Sequence, residues 1–287
     1  MLIKRLKSFL KKKALIHLTI KVETISPNNY LHNRCALITG GTSGIGYELA
    51  RSFLNAGASV IITGRDLTRI NNACEKLKKE YTHSLIYGYQ LNNTRVDSFE
   101  STFYDILKTI AKDGLNYIDI LVNNAGVNAP GMPNANEKDY DLVMDTNLKG
   151  TFFLSQLFGK YLVKNKIKRN ILNIASASSL RPADSAYTLS KWGLRGLTLG
   201  LAKSLSKYGI TVNGIAPGPT ATPMMLKNEQ SNMYLKRIPL GRYIMPEEIA
   251  NMAVILTSNF GKSIIGDIIY MTGGAGNLTY DDVQYTF

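Results

Sequence analysis

From Arg34 onward, short runs rich in valine and isoleucine alternate with amphipathic stretches at helical spacing. No other feature narrows the fold as far, because this alternation builds a parallel sheet flanked by helices. The runs are "CALITG", "ASVIITG", "SLIYGYQL", "IDILVNN", "NILNIAS", "ITVNGIAPG" and "DIIYMTGG". Their unbroken apolar character predicts strands covered on both faces. The expected class is therefore α/β, a single doubly wound domain with a seven-stranded parallel sheet over residues 34–287. Residues 1–33 are left as an N-terminal extension. At 287 residues and 45% hydrophobic content the chain has ample material for such a core.

Between the first strand and the helical stretch "GIGYELARSFLNAG" lies "TGGTSGIG", Thr39 to Gly46, with Gly57 closing the helix. Four glycines in eight residues permit positive φ and close backbone approach. N–H groups at the start of the following helix, with its partial positive charge, suit a pyrophosphate. The glycines fall at Gly40, Gly44 and Gly46 rather than in the G-x-G-x-x-G spacing, so from this stretch alone a surface turn remains equally open.

Tyr187 and Lys191, in "YTLSK", stand four apart on an expected helix and share one face. A free phenol titrates near pH 10, and a nearby cation lowers that value. With sixteen tyrosines in the chain, this spacing taken alone also fits an ordinary surface or core tyrosine.

"NNAG" (Asn123 to Gly126), "YTLSK" and "NGIAPGPTATPM" from Asn213 follow "TGGTSGIG" in an order and spacing that resemble the short-chain dehydrogenase/reductase family, over about residues 34–275. The resemblance implies a Rossmann-type domain and a nicotinamide dinucleotide cofactor; no metal site is expected, because the chain's two cysteines, Cys35 and Cys74, fall in a strand and a helix. The resemblance implies an enzyme that transfers a hydride between that cofactor and a carbonyl or secondary alcohol. It makes Tyr187 the acid/base, with its proton affinity tuned by Lys191 and by the positive charge of the oxidised nicotinamide. Ser176 becomes the donor to the substrate oxygen, with Ser178 and Ser179 in the same "SASS" run as rivals. Asn147, in "MDTNLKG", becomes the residue holding a water of a proton relay to the lysine; read without the resemblance it is a helix asparagine that bends the chain. Gly40, Thr42, Ser43, Gly44, Ile45 and Gly46 would cradle the cofactor phosphates. Asn124, Ala125 and Gly126 would run beside the ribose and nicotinamide, with Asn123 pinning adjacent strands. Gln90 and Leu91 would lie near the adenine, Gln90 where the family commonly has an aspartate. Pro217, Gly218, Thr220 and Thr222 would orient the nicotinamide carboxamide.

Cofactor choice turns on the end of the second strand, where a preference for NAD normally places an acidic residue for the ribose 2′-OH. Here the stretch reads "IITGRD": Gly64 takes the acidic position and Arg65 follows. A guanidinium there pairs with a 2′-phosphate. NADP(H) is expected, with NAD(H) as the alternative because Asp66 lies next in line and Ser43 stands where many NADP-preferring relatives carry a basic residue.

After Thr222, "PMMLKNEQSNMYLKRIPLGRY" reads as a lid over a partly apolar pocket. Lys227, Lys236 and Arg237 there either meet an anionic carrier or form a solvated face. "PLGRYIMPEEIANMAVILTS" and "GDIIYMTGG" look most like the branch containing 3-oxoacyl-acyl-carrier-protein reductases, a branch that also holds sugar, polyol and steroid oxidoreductases. A small-molecule or carrier-linked carbonyl substrate is thus expected. A non-catalytic nucleotide-sensing scaffold is the rival of another class, and the complete serine, tyrosine and lysine set argues against it. The resemblance further implies a homotetramer built on the helices "GTFFLSQLFGKYLV" and "WGLRGLTLGLAKSL", which are apolar enough to be shared or to be core.

The formal charge of +13 is uneven. Seven basic residues and no acidic one lie in the first 21 positions. The remaining excess suits a protein holding an anionic cofactor, and nucleic-acid binding is not needed to explain it. Leu2, Ile3, Leu6, Phe9 and Leu10 recur at helical spacing among these cations, giving a basic amphipathic segment. "ALIHLTI" after Lys13 is too short to span a bilayer, and no small-residue cleavage site follows it. A cytoplasmic protein is expected. Residues 1–20 are either a solvated or oligomer-packed arm or a peripheral membrane contact, in which each basic residue contributes roughly 1 kcal/mol. Cys35 and Cys74 fall in a strand and a helix, which speaks against a disulfide framework.

Overall fold

The computed structural model describes residues 29–225, 233–276 and 278. The amphipathic segment 1–20 and Lys227 lie outside the described residues.

All seven apolar runs form strands: β1 (Cys35–Thr39), β2 (Ser59–Gly64), β3 (Ile86–Gln90), β4 (Ile120–Asn123), β5 (Asn170–Ile174), β6 (Thr211–Pro217) and β7 (Ile268–Met271). They make one sheet in the order β3-β2-β1-β4-β5-β6-β7, every neighbouring pair parallel. The helices between them are α1 (Gly44–Asn55), α2 (Leu67–Glu80), α3 (Phe99–Lys112), α4 (Glu137–Met144), α5 (Gly150–Lys164), α6 (Ala186–Leu205) and α7 (Pro246–Thr257). This is a doubly wound Rossmann-type α/β fold.

The period of two along each strand sorts the core into two layers. Ala36, Ile38, Val60, Ile62 and Val122 pack beneath α1, α2 and α7. Cys35, Leu37, Ile61, Leu121 and Val212 pack on the opposite side, with Phe103 of α3, Phe158 of α5 and Ala202 of α6. β3, at one edge of the sheet, is the one strand with exposed residues, so the expected cover on both faces does not extend to it. Both cysteines are free and buried. Among the described residues no helix is long and apolar enough to cross a membrane, and no cluster of His, Cys, Asp or Glu could hold a metal ion.

The packed unit starts before Arg34, which moves the expected boundary. Leu31 is fully buried, its N–H donates to the Ala56 carbonyl at 2.9 Å, and Tyr30 lies edge-on to Phe260. At the same end of the sheet the buried Asp119 accepts from the Cys35 N–H, from Arg34 and, at 2.7 Å, from Arg169, tying together the starts of β1, β4 and β5.

Candidate active site

Strand order reverses between β1 and β4, because the connections through β2 and β3 run one way and those through β5 to β7 the other. Such a switch point opens a crevice at the C-terminal ends of the strands. A cavity of about 500 Å³ lies there.

Its floor is the glycine turn. Gly40 and Gly44 have φ of +65° and +54°, where a side chain is strained. A Cβ on Gly46 would collide with the Gly40 carbonyl, so the turn closes only with glycine there. Asn124 locks this arrangement by donating from its amide to the carbonyls of Thr39 and Gly40 at 2.9 and 3.2 Å. Thr39 Oγ1 accepts from the N–H groups of Asn124 and Ala125. Ser43 precedes α1 without capping it through its side chain. The first-turn N–H groups of α1 therefore face the cavity beside Thr42 and Ser43, an arrangement suited to an anion. Asn123 lies behind this wall, donating to Asn173 at 2.8 Å and to Ser155 at 2.9 Å, so it joins β4 to β5 and α5.

At one end the cavity is bounded by Gly64, Arg65, Asp66, Arg69 and Leu91. Asp66 is the N-cap of α2, its carboxylate accepting from the Arg69 N–H at 3.0 Å, and is thereby already engaged. Arg65 and Arg69 are exposed and have no ion-pair partner among the described residues. Gln90 departs from expectation. It does not line the cavity, because its amide donates to the Arg65 carbonyl at 2.9 Å, and Leu91, Asn92 and Asn93 form the wall in its place.

Ser176, Tyr187 and Lys191 meet at the other end. Ser176 follows β5, and its hydroxyl accepts from the Ser178 N–H at 3.1 Å. Ser179 is fully buried and donates to the Ser176 carbonyl, while neither Ser178 nor Ser179 lines the cavity. Tyr187 stands in the first turn of α6, whose positive end favours a phenolate. Lys191, one turn on, donates to the Ile174 carbonyl at 2.9 Å, with Nζ 5.6 Å from the Tyr187 ring centre.

The electrostatics differ in one respect from the sequence expectation, which had Lys191 lowering the phenol. Burial is the largest influence on Tyr187 and pushes it up, and the hydrogen bond with Ser176 acts against that rise. Burial also lowers Lys191, to about 8.

Asn147 sits in a π-helical stretch, Asp145–Lys149, between α4 and α5. It is fully buried behind the cavity wall. Its side chain accepts from the Val127 N–H at 2.8 Å and donates to the Val127 carbonyl at 2.9 Å and to Ser190 at 3.1 Å. Ser190 donates in turn to the Tyr187 carbonyl at 2.7 Å. Asn147 thus braces the helix turn that bears the tyrosine and lysine.

The roof comes from Pro217 to Met225. Thr220 bridges to Ile244 and donates to the Gly218 carbonyl at 2.9 Å, and Thr222 packs over Gly44. Met224 and Met225 follow in an exposed 3-10 turn at the cavity mouth, beside Val127. Arg69, Asn92, Asn93, Val127 and Thr146 are wall residues that the motifs did not single out, whereas the methionines fall in the stretch read as a lid. For Asn92 and Asn93 the available signal was their place directly after a strand. For Arg69 it was its position one turn into a helix that begins at the cavity.

Residues 40–276 match the family model described as enoyl-(acyl carrier protein) reductase. Among curated proteins, the chain is 34% identical to the 3-oxoacyl-acyl-carrier-protein reductase of Aquifex aeolicus, over 85% of this chain and 98% of that one. It is 33% identical to a 3alpha-hydroxysteroid dehydrogenase of Mediterraneibacter gnavus, over 85% and 98%. Among solved structures, a short chain dehydrogenase/reductase family protein covers 87% of this chain and 100% of its own at 31% identity and a TM-score of 0.74. A short chain dehydrogenase from Burkholderia cenocepacia in complex with NADP gives 26% identity and a TM-score of 0.75, again over 87% and 100%.

Proposed function

This chain belongs to the short-chain dehydrogenase/reductase family and is an oxidoreductase of CH–OH or carbonyl groups; on that premise we propose that it reduces a 3-oxoacyl thioester with NADPH. The observation that carries this reading is the meeting of Ser176, Tyr187 and Lys191 at one end of a cavity whose other end holds two unpaired arginines. The donor set fits a dinucleotide diphosphate: glycine-turn backbone in the middle, guanidinium groups at the distal end. The bound nicotinamide supplies the hydride.

Tyr187 gives the proton from its hydroxyl to the carbonyl oxygen and takes it back in the reverse direction. Ser176 donates to the same oxygen and holds it against the phenol. Lys191, anchored on the Ile174 carbonyl, keeps a cation beside the tyrosine, and the start of α6 adds its dipole. Asn147 acts through Val127 and Ser190 as a positioning residue.

NADP(H) is favoured over NAD(H) because Asp66 is engaged as a cap while Arg65 and Arg69 are free for a 2′-phosphate. Val127, Met224 and Met225 give the mouth an apolar lining that suits an acyl chain and a carrier-linked substrate. A steroid alcohol fits the same lining and is the second reading; a sugar or polyol fits it poorly. The apolar outer faces of α5 and α6 support a homotetramer.

The test is binding of NADPH and NADH to wild type and Tyr187→Phe, with turnover of a short 3-oxoacyl thioester followed by loss of the reduced nicotinamide. Both proteins should bind NADPH more tightly than NADH, and only wild type should turn over. Residual turnover of Tyr187→Phe within about tenfold of wild type removes Tyr187 as the acid, since a general acid contributes roughly 10²–10⁴-fold. Preference for NADH overturns the arginine argument, and turnover of a steroid alcohol alone overturns the acyl substrate.

A further inference from the structure

A second groove, of about 860 Å³, lies between α3 and α5 at the opposite end of the sheet, beside the segments that lead into β4 and β5. It shares no lining residue with the catalytic cavity. Asn147 precedes the start of α5 and the groove takes in its final turn, so the two sites lie about 20 Å apart along a fifteen-residue helix.

The floor is apolar: Phe103 and Leu107 from α3, Leu157 and Tyr161 from α5. Phe103 and Tyr161 meet edge to face at 5.1 Å, and the Tyr161 hydroxyl accepts from the Ile118 N–H, so the aromatic body is held in place. Tyr104, 53% exposed, and Tyr117 stand at the sides.

The rim is cationic. The stretch "KYLVKNKIKR", residues 160–169, holds Lys160, Lys164, Lys166, Lys168 and Arg169 and no acidic residue. Arg169 is paired with Asp119, a carboxylate it shares with Arg34. The four lysines have no ion-pair partner among the described residues, and Glu100 is the one acidic side chain on the wall. Lysines on a helix end are often just a solvated face, but one of these sits where a lysine is disfavoured. Lys166 follows the C-cap of α5 at a φ of +56°, the left-handed position that glycine occupies without strain. The cation at the groove thus stands against the preference of the backbone, and such outliers point towards a ligand.

We infer that this groove binds a soluble anionic amphiphile, a carboxylate or phosphate head on an acyl-sized apolar chain, with the chain on the Phe103–Tyr161 floor and the head among Lys160, Lys164 and Lys166. The volume is that of a small-molecule site. Charge complementarity selects the head, and the lysine stems extend the apolar floor towards it.

The probe is dodecyl phosphate below its aggregation concentration, titrated calorimetrically into the full chain with and without NADPH, with dodecyl maltoside and inorganic phosphate in parallel. One site per chain is expected, retained with NADPH present, and at least about tenfold weaker in K164E/K166E. Lys166→Gly should bind more weakly while melting at a higher temperature, an opposition that a purely structural lysine does not produce. Unchanged affinity in these variants, or no binding to wild type, overturns the proposal. Loss of the site when NADPH is added puts the probe in the catalytic cavity and also overturns it, as does equal binding of the maltoside or of inorganic phosphate.

Discussion

Burial lowers Lys191 to about 8, and its partner is a neutral carbonyl, so the folded protein holds the protonated form at a disadvantage relative to the unfolded chain. Between pH 8 and the ordinary lysine value near 10.4 the unfolded state binds the proton and the folded state does not, so this group's contribution to stability rises with pH across that window. In cofactor-free protein, the stability of wild type minus that of Lys191→Met should therefore increase from pH 8 to 10.4, by on the order of 2–3 kcal/mol. Urea unfolding at several pH values reads this directly, and a flat difference shows that Lys191 stays charged when buried. The pairing of Tyr187 with Lys191 was legible because four-residue spacing on a helix is a local property. The sign of the electrostatics was not, since it depends on how deeply both groups are enclosed. Gln90 was misplaced for a similar reason: its strand was visible, but its bond to the Arg65 carbonyl joins residues on two different strand ends.

At the scale of elements, the strand, turn and helix around the glycines make the sharpest test. Gly46→Ala sets a methyl against backbone, the Gly40 carbonyl, and against the Asn124 amide that clamps the same turn. Neither can move without opening β1 from α1, so the variant should lose more than about 3 kcal/mol of stability and most of its NADPH affinity. Chemical denaturation and a binding titration check both, and a variant of near wild-type stability shows that the turn tolerates a shift. Each of the seven strands was readable from its own apolar run; for β1, β2, β4, β5 and β6 this is because a strand buried on both faces needs no partner to declare itself. The π-helical stretch at Asp145–Lys149 was not readable. It arises from a tertiary demand, the side chain of Asn147 reaching Val127 and Ser190 at once.

The whole molecule leaves large apolar side chains outside: Phe152 (46% exposed) and Phe153 on α5, and Leu189, Trp192 and Leu199 (50%) on α6. The same helices bury Leu154, Phe158 and Leu194 inward, so each has apolar residues on both sides. A helix that is apolar on its outer side as well needs a second surface to cover it. Sequence reading found both helices long and apolar but could not divide core from outer face, because that division depends on which side meets the sheet. A homotetramer covering these faces predicts that Phe152→Asp combined with Leu199→Asp yields a smaller species in light scattering. NADPH binding per chain should survive, because the glycine turn, Arg65, Tyr187 and Lys191 that are proposed to hold it belong to the same chain. Thermal stability should fall by several degrees as the shared surface returns to water. A monomeric mass for the wild-type protein at the concentration of the activity assay refutes the assembly and turns the exposed aromatics into a surface for some other partner.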